Sequence, residues 1–407
     1  MPYRHKGYCF EMNAIYSIGY TFSSKGFVFI LNYLAINFLL LHNYGEFSLI
    51  FSTINSFVVI SGLGLLYSGS IISSKWMRRN KAYAFDYFKF SSYLIFALSF
   101  IFSLIYYFYC GYFFSVFFAI FFYSIATLFD GFFYGIGEIK KIFFYGILNL
   151  LFSIVLSLLL IKYKGLDGAI YSIVFSKILL IFFQSILFFQ KFKGEKINFK
   201  IKYKKQIFLF YRKNNIPLVL SALIATPVIT FVIYILSLNK GLEDVAVFSW
   251  CYQIYLIGMF IPMALNSYYL SILNKKDNLG KMILIKKINS FNVFVCFFSI
   301  VILYLLSSYI LRLGKIDHIY DAYIVFYGFL FCIFFYGINL GFLSFWSSVG
   351  KSKYHLKMQV LWSLILVLVV GLLVNKLGAL SIPIGMCAGF IMQYFFQKKE
   401  ISQMKVV

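Results

Sequence analysis

The sequence predicts an all-α integral membrane protein with about 12 transmembrane helices in two six-helix lobes. Three observations predict this fold: 62% of the 407 residues are hydrophobic and only 12% are charged, apolar runs of membrane-spanning length recur, and the second half of the chain repeats part of the first. A soluble globular chain of this length could not bury so much apolar surface. The membrane is therefore the expected solvent.

Runs of about 20 apolar residues bounded by polar segments indicate the individual helices. A tight turn near Cys110 and Gly111 separates the third helix from the fourth. The predicted spans are 14–41, 46–72, 86–109, 112–136, 142–161, 168–190, 216–238, 243–273, 288–311, 319–348, 355–375 and 379–397.

The distribution of positive charge predicts the orientation. Of the 37 lysines and arginines, six fall in predicted outer loops, two fall deep inside helices, and 29 fall in the remaining segments or close to the cytoplasmic ends of helices. Because basic residues collect on the cytoplasmic side, both termini are expected in the cytoplasm, after an uncleaved first helix. The net charge of +24 is thus explained by the orientation of the helices in the membrane, and no nucleic-acid partner is expected.

The longest basic stretch, residues 191–215, contains nine cations and one acid, Glu195. We expect a cytoplasmic linker that touches anionic lipid. It separates an N-terminal lobe, 1–190, from a C-terminal lobe, 216–407, which ends in a short cytoplasmic tail.

An internal repeat links the two lobes. The segment GEIKKIFFYGILNLLFS begins at Gly137, and GKSKYHLKMQVLWSLIL begins 213 residues later at Gly350; Gly165 and Gly378 keep the same offset. The fifth and sixth spans therefore match the eleventh and twelfth. Because each half contains an even number of spans, the lobes are expected to be related by a pseudo-two-fold axis along the membrane normal.

Two lysines are predicted inside helices, where a charge costs from ~2.5 to more than ~10 kcal/mol unless it faces water or a partner. Lys25 lies in the first span and Lys177 in the sixth. Asn32 follows Lys25 by seven residues and Gln184 follows Lys177 by seven, so each helix presents a cation and a carboxamide on one face. We expect a polar cavity in the first lobe; for Lys25 the alternatives are a structural pair with a carbonyl or an acid and a misplaced span.

Other intramembrane residues extend this hypothesis. Asn55 is a candidate for the same polar surface, and Gln253 and Asn266 are candidates for hydrogen bonds to substrate or between helices. Asp130 is expected to act as a charge partner, as a coupling group or as an anchor near a helix end. Pro227 is predicted to form either a hinge or a static kink.

Catalytic and metal chemistry are not predicted. The six cysteines are scattered without a CxxC pair, and the four histidines lie in or beside loops. Neither a disulfide framework, a metal site nor a cofactor is indicated, and the outer loops are too short for a large catalytic domain.

Four segments carry a resemblance that covers nearly the whole chain. The sequence resembles polysaccharide biosynthesis proteins of the Wzx flippase type, which belong to the multidrug/oligosaccharidyl-lipid/polysaccharide (MOP) exporter superfamily. The segments are YGEFSLIF at 44–51, FFYGIGEIKK at 132–141, IPLVLSALIATPVITFVIYIL at 216–236 and FIPMALNSYYLSI at 260–272.

The resemblance implies a V-shaped, alternating-access transporter of the bacterial inner membrane. It implies a lipid-linked oligosaccharide on undecaprenyl diphosphate as substrate, with O-antigen, capsule or a related polysaccharide as the pathway, and a polysaccharide polymerase and chain-length proteins as possible partners. Two lysines would suit the diphosphate as compact cations. A multidrug exporter of the same superfamily and a membrane polysaccharide polymerase are the alternatives, and coupling to protons or sodium stays open.

Overall fold

The computed structural model describes residues 4–62, 64–77, 79–193, 201–212, 216–273, 277–349 and 351–404. Within these ranges the chain forms α-helices and short turns, with a single 3-10 turn at Gly378–Leu380. The first seven helices are α1 (Arg4–Phe38), α2 (Leu41–Ser61), α3 (Leu65–Trp76), α4 (Lys81–Cys110), α5 (Phe113–Ile136), α6 (Ile139–Lys191) and α7 (Lys204–Phe210). The other eight are α8 (Ile216–Lys240), α9 (Leu242–Gly258), α10 (Phe260–Leu273), α11 (Asn278–Leu305), α12 (Ser307–Leu313), α13 (Tyr320–Ser348), α14 (Ser352–Leu377) and α15 (Ser381–Met404).

Six stretches of the described residues are long and apolar enough to cross a membrane. Two of these, Ile139–Lys191 and Lys353–Gln403, each contain two helices joined at a glycine. The molecule is thus an all-helical, multi-pass membrane protein, as the composition predicts. The tight turn after α4 is also confirmed, because Gly111 adopts a left-handed conformation with φ 76° directly before α5.

Three predicted spans are wrong as continuous helices. The span 46–72 breaks before α3, where Gly64 has φ 66°. The span 243–273 breaks at Met259; Pro262 follows and has no N–H for the carbonyl of Gly258. The span 288–311 breaks at Leu306, where the sequence offers neither glycine nor proline.

Contacts divide the chain into two compact units. Unit 1 comprises Met1–Phe38 and Ile50–Pro227, and unit 2 comprises Leu39–Leu49 and Val228–Val407. Helix α2 contributes residues to both units, and the second division falls inside α8, next to the proline that the sequence analysis proposes as a hinge.

The core of unit 1 is aromatic. Phe188 of α6 lies 4.3 Å from Phe88 of α4 and 5.0 Å from Phe132 of α5, measured between ring centroids. Small residues let α1 approach α6: a Cβ on Gly146 would lie 2.6 Å from the Tyr20 ring and 2.7 Å from the Ser23 hydroxyl. This close packing brings polar groups of α1, α5 and α6 together.

The backbone carries the predicted repeat. Gly165, inside α6, has φ 54° and ψ −127°, and Gly378, between α14 and α15, has φ 52° and ψ −132°. Such angles suit glycine in a tight turn and disfavour residues with a Cβ. Two positions 213 residues apart therefore make the same turn between paired helices.

The repeat also includes α5 and α13. The string IFFY at 120–123 in α5 recurs at 333–336 in α13 with the same offset of 213, and it also occurs at 142–145 in α6, outside that offset. Its tyrosines make equivalent contacts: Tyr123 lies against Lys177, and Tyr336 lies against Phe390, the residue 213 positions after Lys177. The fourth and tenth predicted spans thus belong to the repeat as well.

Candidate functional site

A hydrogen-bonded cluster in unit 1 joins three helices. The Tyr20 hydroxyl of α1 donates to Oδ1 of Asp130 on α5 at 2.5 Å, and Nε2 of Gln184 on α6 donates to the same oxygen at 2.7 Å. Gln184 Nε2 also lies 3.5 Å from the Tyr20 hydroxyl. Tyr20 and Gln184 are buried and Asp130 is partly buried. Two donors therefore stabilise the carboxylate of Asp130 within the apolar helices.

Lys177 lies two helical turns along α6 from Gln184. Its side chain is buried, and its Nζ lies 4.1 Å from the centroid of the Tyr123 ring. Within the part of the chain that the structure describes, no carboxylate lies at ion-pairing distance from Nζ, although Lys177 and Asp130 interact electrostatically over a longer distance. A cation–π contact and a remote carboxylate thus stabilise a buried ammonium.

Asn149 extends the polar surface beside Lys177. Its Nδ2 lies 3.5 Å from the hydroxyl of Ser176, and its Oδ1 accepts a hydrogen bond from Ser153 at 3.3 Å. Both helical segments of α6 therefore contribute polar groups at this level.

The predicted residues of α1 and α2 occupy different environments. Lys25 has an exposed side chain, whereas Asn32 is buried and its Nδ2 donates to the carbonyl of Val28 at 2.8 Å. Asn55 is partly buried on α2 in unit 1. Lys25 and Lys177 therefore differ in exposure, although the sequence predicts the same role for both.

The predicted residues of the second lobe lie in unit 2. Gln253 is partly buried on α9. The backbone of Asn266 belongs to α10, and its side chain lies outside the described residues. Pro227 lies within α8, as the last residue of unit 1.

Three functional candidates were missed by the sequence analysis: Tyr20, Tyr123 and Gln397. Gln397 is the repeat equivalent of Gln184, again 213 residues later, and it is also buried. Its Oε1 accepts from Trp346 Nε1 at 3.0 Å, and its Nε2 donates to Asn339 Oδ1 at 2.9 Å. The internal repeat could have identified Tyr123 and Gln397 from the sequence, whereas no sequence pattern identifies Tyr20.

Ion pairs connect the ends of both repeated helical hairpins. Glu138, directly before α6, pairs with Lys191 at the end of that helix and with Lys141 at 3.2 Å. The hydrogen bond from Lys191 lowers the pKa of Glu138 below its ordinary value. In the second hairpin Lys351, the equivalent of Glu138, pairs with Glu400 at 3.2 Å. The two hairpins therefore use ion pairs of opposite polarity.

Two cysteines lie close together, one on α13 and one on α15. Cys332 and Cys387 have their sulfur atoms 3.1 Å apart and are both free thiols. The described residues contain no group of three or more histidine, cysteine, aspartate or glutamate side chains placed to hold a metal ion.

Fold and helix arrangement together define the class of protein: a multi-pass membrane protein with the fold of the MOP superfamily transporters. An inward-facing multidrug resistance MATE family transporter of that superfamily aligns with a TM-score of 0.75 at 14% identity, over 94% of this chain and 95% of the other. The outward-facing conformation of a multidrug resistance MATE family transporter gives a TM-score of 0.64 at 16% identity, over 96% and 95%.

A further solved structure with this fold is a MOP superfamily transporter from Pyrococcus furiosus. It aligns with a TM-score of 0.67 at 16% identity, over 96% of this chain and 95% of that one. It is described as having a binding pocket of reverse polarity, which suggests a different function for it. No family model and no curated protein matches this chain.

Proposed function

We propose that the protein is a flippase that moves undecaprenyl-diphosphate-linked oligosaccharide across the bacterial inner membrane by alternating access. The observation that carries the proposal is the buried cation of Lys177 within a MOP transporter fold. The Wzx resemblance supports the substrate class, and the positive-inside distribution supports cytoplasmic termini.

The internal repeat supports a functional role for this charge. Position 390 is equivalent to position 177 and contains phenylalanine, which packs against Tyr336 as Lys177 packs against Tyr123. An apolar side chain therefore satisfies the same packing geometry in unit 2. Because a charge is expensive in the membrane interior, a lysine that packing does not require calls for another explanation.

A diphosphate supplies that explanation. Lys25 has an exposed side chain and Lys177 a buried one, and both are point-charge donors suited to phosphate oxygens. Asp130 is the charge partner of Lys177 in the absence of substrate, with Tyr20 and Gln184 holding its carboxylate in place. The proton or sodium ion that drives transport is not specified by these residues.

The remaining predicted residues receive proposed roles in the same cycle. Asn32 and Asn55 contribute polar surface in the first lobe, and Gln253 and Asn266 donate hydrogen bonds to sugars from the second. Pro227 is the proposed hinge, since it interrupts the hydrogen bonds of α8 where the chain passes from unit 1 to unit 2. A polysaccharide polymerase and chain-length proteins are the proposed downstream partners.

Asp130 favours a second candidate function, the export of small cationic drugs. A partly buried carboxylate can bind a cationic drug by electrostatic attraction. The MATE transporters with this fold are named for multidrug resistance. The two functions therefore assign opposite importance to Lys177 and Asp130.

The test replaces chromosomal Lys25 or Lys177 with alanine in cells that express the protein normally, and measures surface polysaccharide and accumulated lipid-linked precursor. Each ammonium–phosphate hydrogen bond contributes ~1.5–3 kcal/mol, so we expect display to fall at least about tenfold. Lys177→Phe serves as a packing-matched variant because Phe390 fills the equivalent position. Lys162→Ala, at an exposed site of α6, is the matched lysine control.

Wild-type display in both lysine variants, at normal protein abundance, would exclude the flippase proposal. In the same cells, the Asp130→Asn substitution distinguishes a drug exporter from a flippase. Loss of resistance to cationic dyes with unchanged polysaccharide would support drug export.

A further inference from the structure

The end of the basic linker, residues 201–212, is docked on unit 1 through polar contacts. Oδ2 of Asp86 accepts the backbone N–H of Lys202 at 2.8 Å and that of Tyr203 at 3.4 Å. Asn80 Nδ2 donates to the Tyr203 hydroxyl at 3.1 Å. These contacts fix the start of the segment against the first turns of α4.

Apolar packing fixes the rest of the segment. Ile207 is 0% exposed, and Tyr211 is buried with its hydroxyl 2.6 Å from that of Ser91. Tyr211 also packs against Tyr87, with ring centroids 5.5 Å apart. Ile207 of α7 and Tyr211, directly after α7, are about one helical turn apart, so one side of this segment packs against the rest of unit 1.

The outward side of this segment combines positive charge with apolar surface. Phe208 is 58% exposed and Leu209 is 54% exposed. The side chains of Lys204, Lys205 and Arg212 are also exposed. At 100° per residue these five positions form one continuous face.

We propose that this face, residues 204, 205, 208, 209 and 212, binds anionic phospholipid at the membrane surface. The lysines and Arg212 contact lipid phosphates, while Phe208 and Leu209 enter the boundary between head groups and acyl chains. Large exposed apolar side chains flanked by cations are the composition of interfacial helices, and neither water alone nor the hydrocarbon core satisfies both groups. The predicted orientation places the segment at the cytoplasmic leaflet, where anionic lipids attract basic segments.

The docking explains why a helix this short can act at the interface. An isolated seven-residue helix is unstable in water. Here Asp86, Asn80 and Ser91 hold the segment on α4, so its cations are presented without the cost of ordering a free chain. The inference depends on this docking and not on the substrate that the protein transports.

The test uses full-length protein carrying Phe208→Trp, reconstituted in vesicles of phosphatidylcholine and phosphatidylglycerol at 7:3. Bromine quencher is placed on the acyl chains of one lipid or the other at equal mole fraction, and the signal of protein without the added tryptophan is subtracted. Each cation strengthens binding to an anionic surface roughly fivefold. We expect quenching by brominated phosphatidylglycerol to exceed that by brominated phosphatidylcholine at least about threefold.

Replacing Lys204, Lys205 and Arg212 with glutamine should remove this preference. Replacing Lys162 and Lys164, which are predicted on the opposite side of the membrane, with glutamine should not. Should the triple variant fold poorly, 0.5 M salt applied to the parent protein should reduce the preference in the same way. Equal quenching by both lipids overturns the inference, as does a preference that survives both treatments. Absence of quenching by either lipid also overturns it, because the face would then be covered by water or protein.

Discussion

The two glutamines at equivalent positions of the internal repeat differ in their hydrogen bonds, and this difference leads to a testable prediction. Gln397 and Gln184 are both buried and occupy matching positions, yet their hydrogen bonding differs. Both ends of the Gln397 amide have partners on α13, whereas the Oε1 of Gln184 is buried without a partner among the described residues. Replacing each with leucine, which has a similar size and no polar atoms, should therefore have unequal effects.

The expected magnitudes follow from the number of bonds lost. Gln397→Leu removes two interhelical hydrogen bonds, each contributing ~0.6–1.7 kcal/mol in a membrane protein, and leaves Trp346 Nε1 buried without its acceptor. We expect a loss of about 2–3 kcal/mol, since an unsatisfied buried donor adds ~1 kcal/mol or more. Gln184→Leu removes the bond to the Asp130 carboxylate, which contributes ~1.5–3 kcal/mol, and also an unsatisfied carbonyl whose burial costs ~1–3 kcal/mol, so the two effects partly cancel and the net loss stays below that of Gln397→Leu.

Equilibrium unfolding in mixed micelles of detergent and dodecyl sulfate measures both variants against the parent protein, with helix content as the signal. The predicted order is Gln397→Leu much less stable than Gln184→Leu. Equal destabilisation, or the reverse order, would refute the assignment of hydrogen bonds at the two positions.

Two further predictions concern the hairpins. Alanine at Gly165 or Gly378 should destabilise by ~1–3 kcal/mol each, because both glycines adopt the same positive-φ conformation. Gly378→Ala should destabilise more, since its Cβ would clash with Oδ2 of Asp244. Gly371→Ala, where a Cβ meets no atom within 4 Å, should instead be neutral or stabilising in the same unfolding assay. For Glu138, whose pKa the hydrogen bond from Lys191 lowers, the stabilisation is fully present above about pH 4.5 and is lost as the pH falls through the folded-state pKa. Glu138→Gln should therefore lower thermal stability at pH 7, by up to ~1 kcal/mol, with a difference from the parent that shrinks below pH 4.5; a difference independent of pH would contradict the ion pair.

Sequence patterns predicted the helices well because membrane spans depend on local composition. The long apolar runs and the glycine turns at Gly111 and Gly165 were all visible in the sequence. Breaks such as the one at Leu306 were not, since they depend on how neighbouring helices pack. Local patterns decide where a helix exists, and tertiary contacts decide where it bends.

The candidate site was predictable only in part, for a related reason. Spacing along one helix identified Lys177 and Gln184 as neighbours on a face, but it contains no information about the other helices. Tyr20 comes from α1 and Asp130 from α5, and only the fold places their oxygens 2.5 Å apart. The contact between Tyr123 and Lys177 also depends on the fold, although the match between Tyr123 and Tyr336 in the repeat could be found in the sequence.

A comparison of the two repeated hairpins indicates which residues serve packing and which call for a functional explanation. Glycine at the turn, tyrosine at 123 and 336, and glutamine at 184 and 397 are shared by both copies. Two of the differences between the copies are differences of charge: lysine against phenylalanine at 177 and 390, and glutamate against lysine at 138 and 351. At 138 and 351 each charge has an ion-pair partner, which accounts for it structurally. At 177 the ring of Tyr123 and a distant carboxylate leave the ammonium less fully compensated, so this position is where an anionic ligand would gain most.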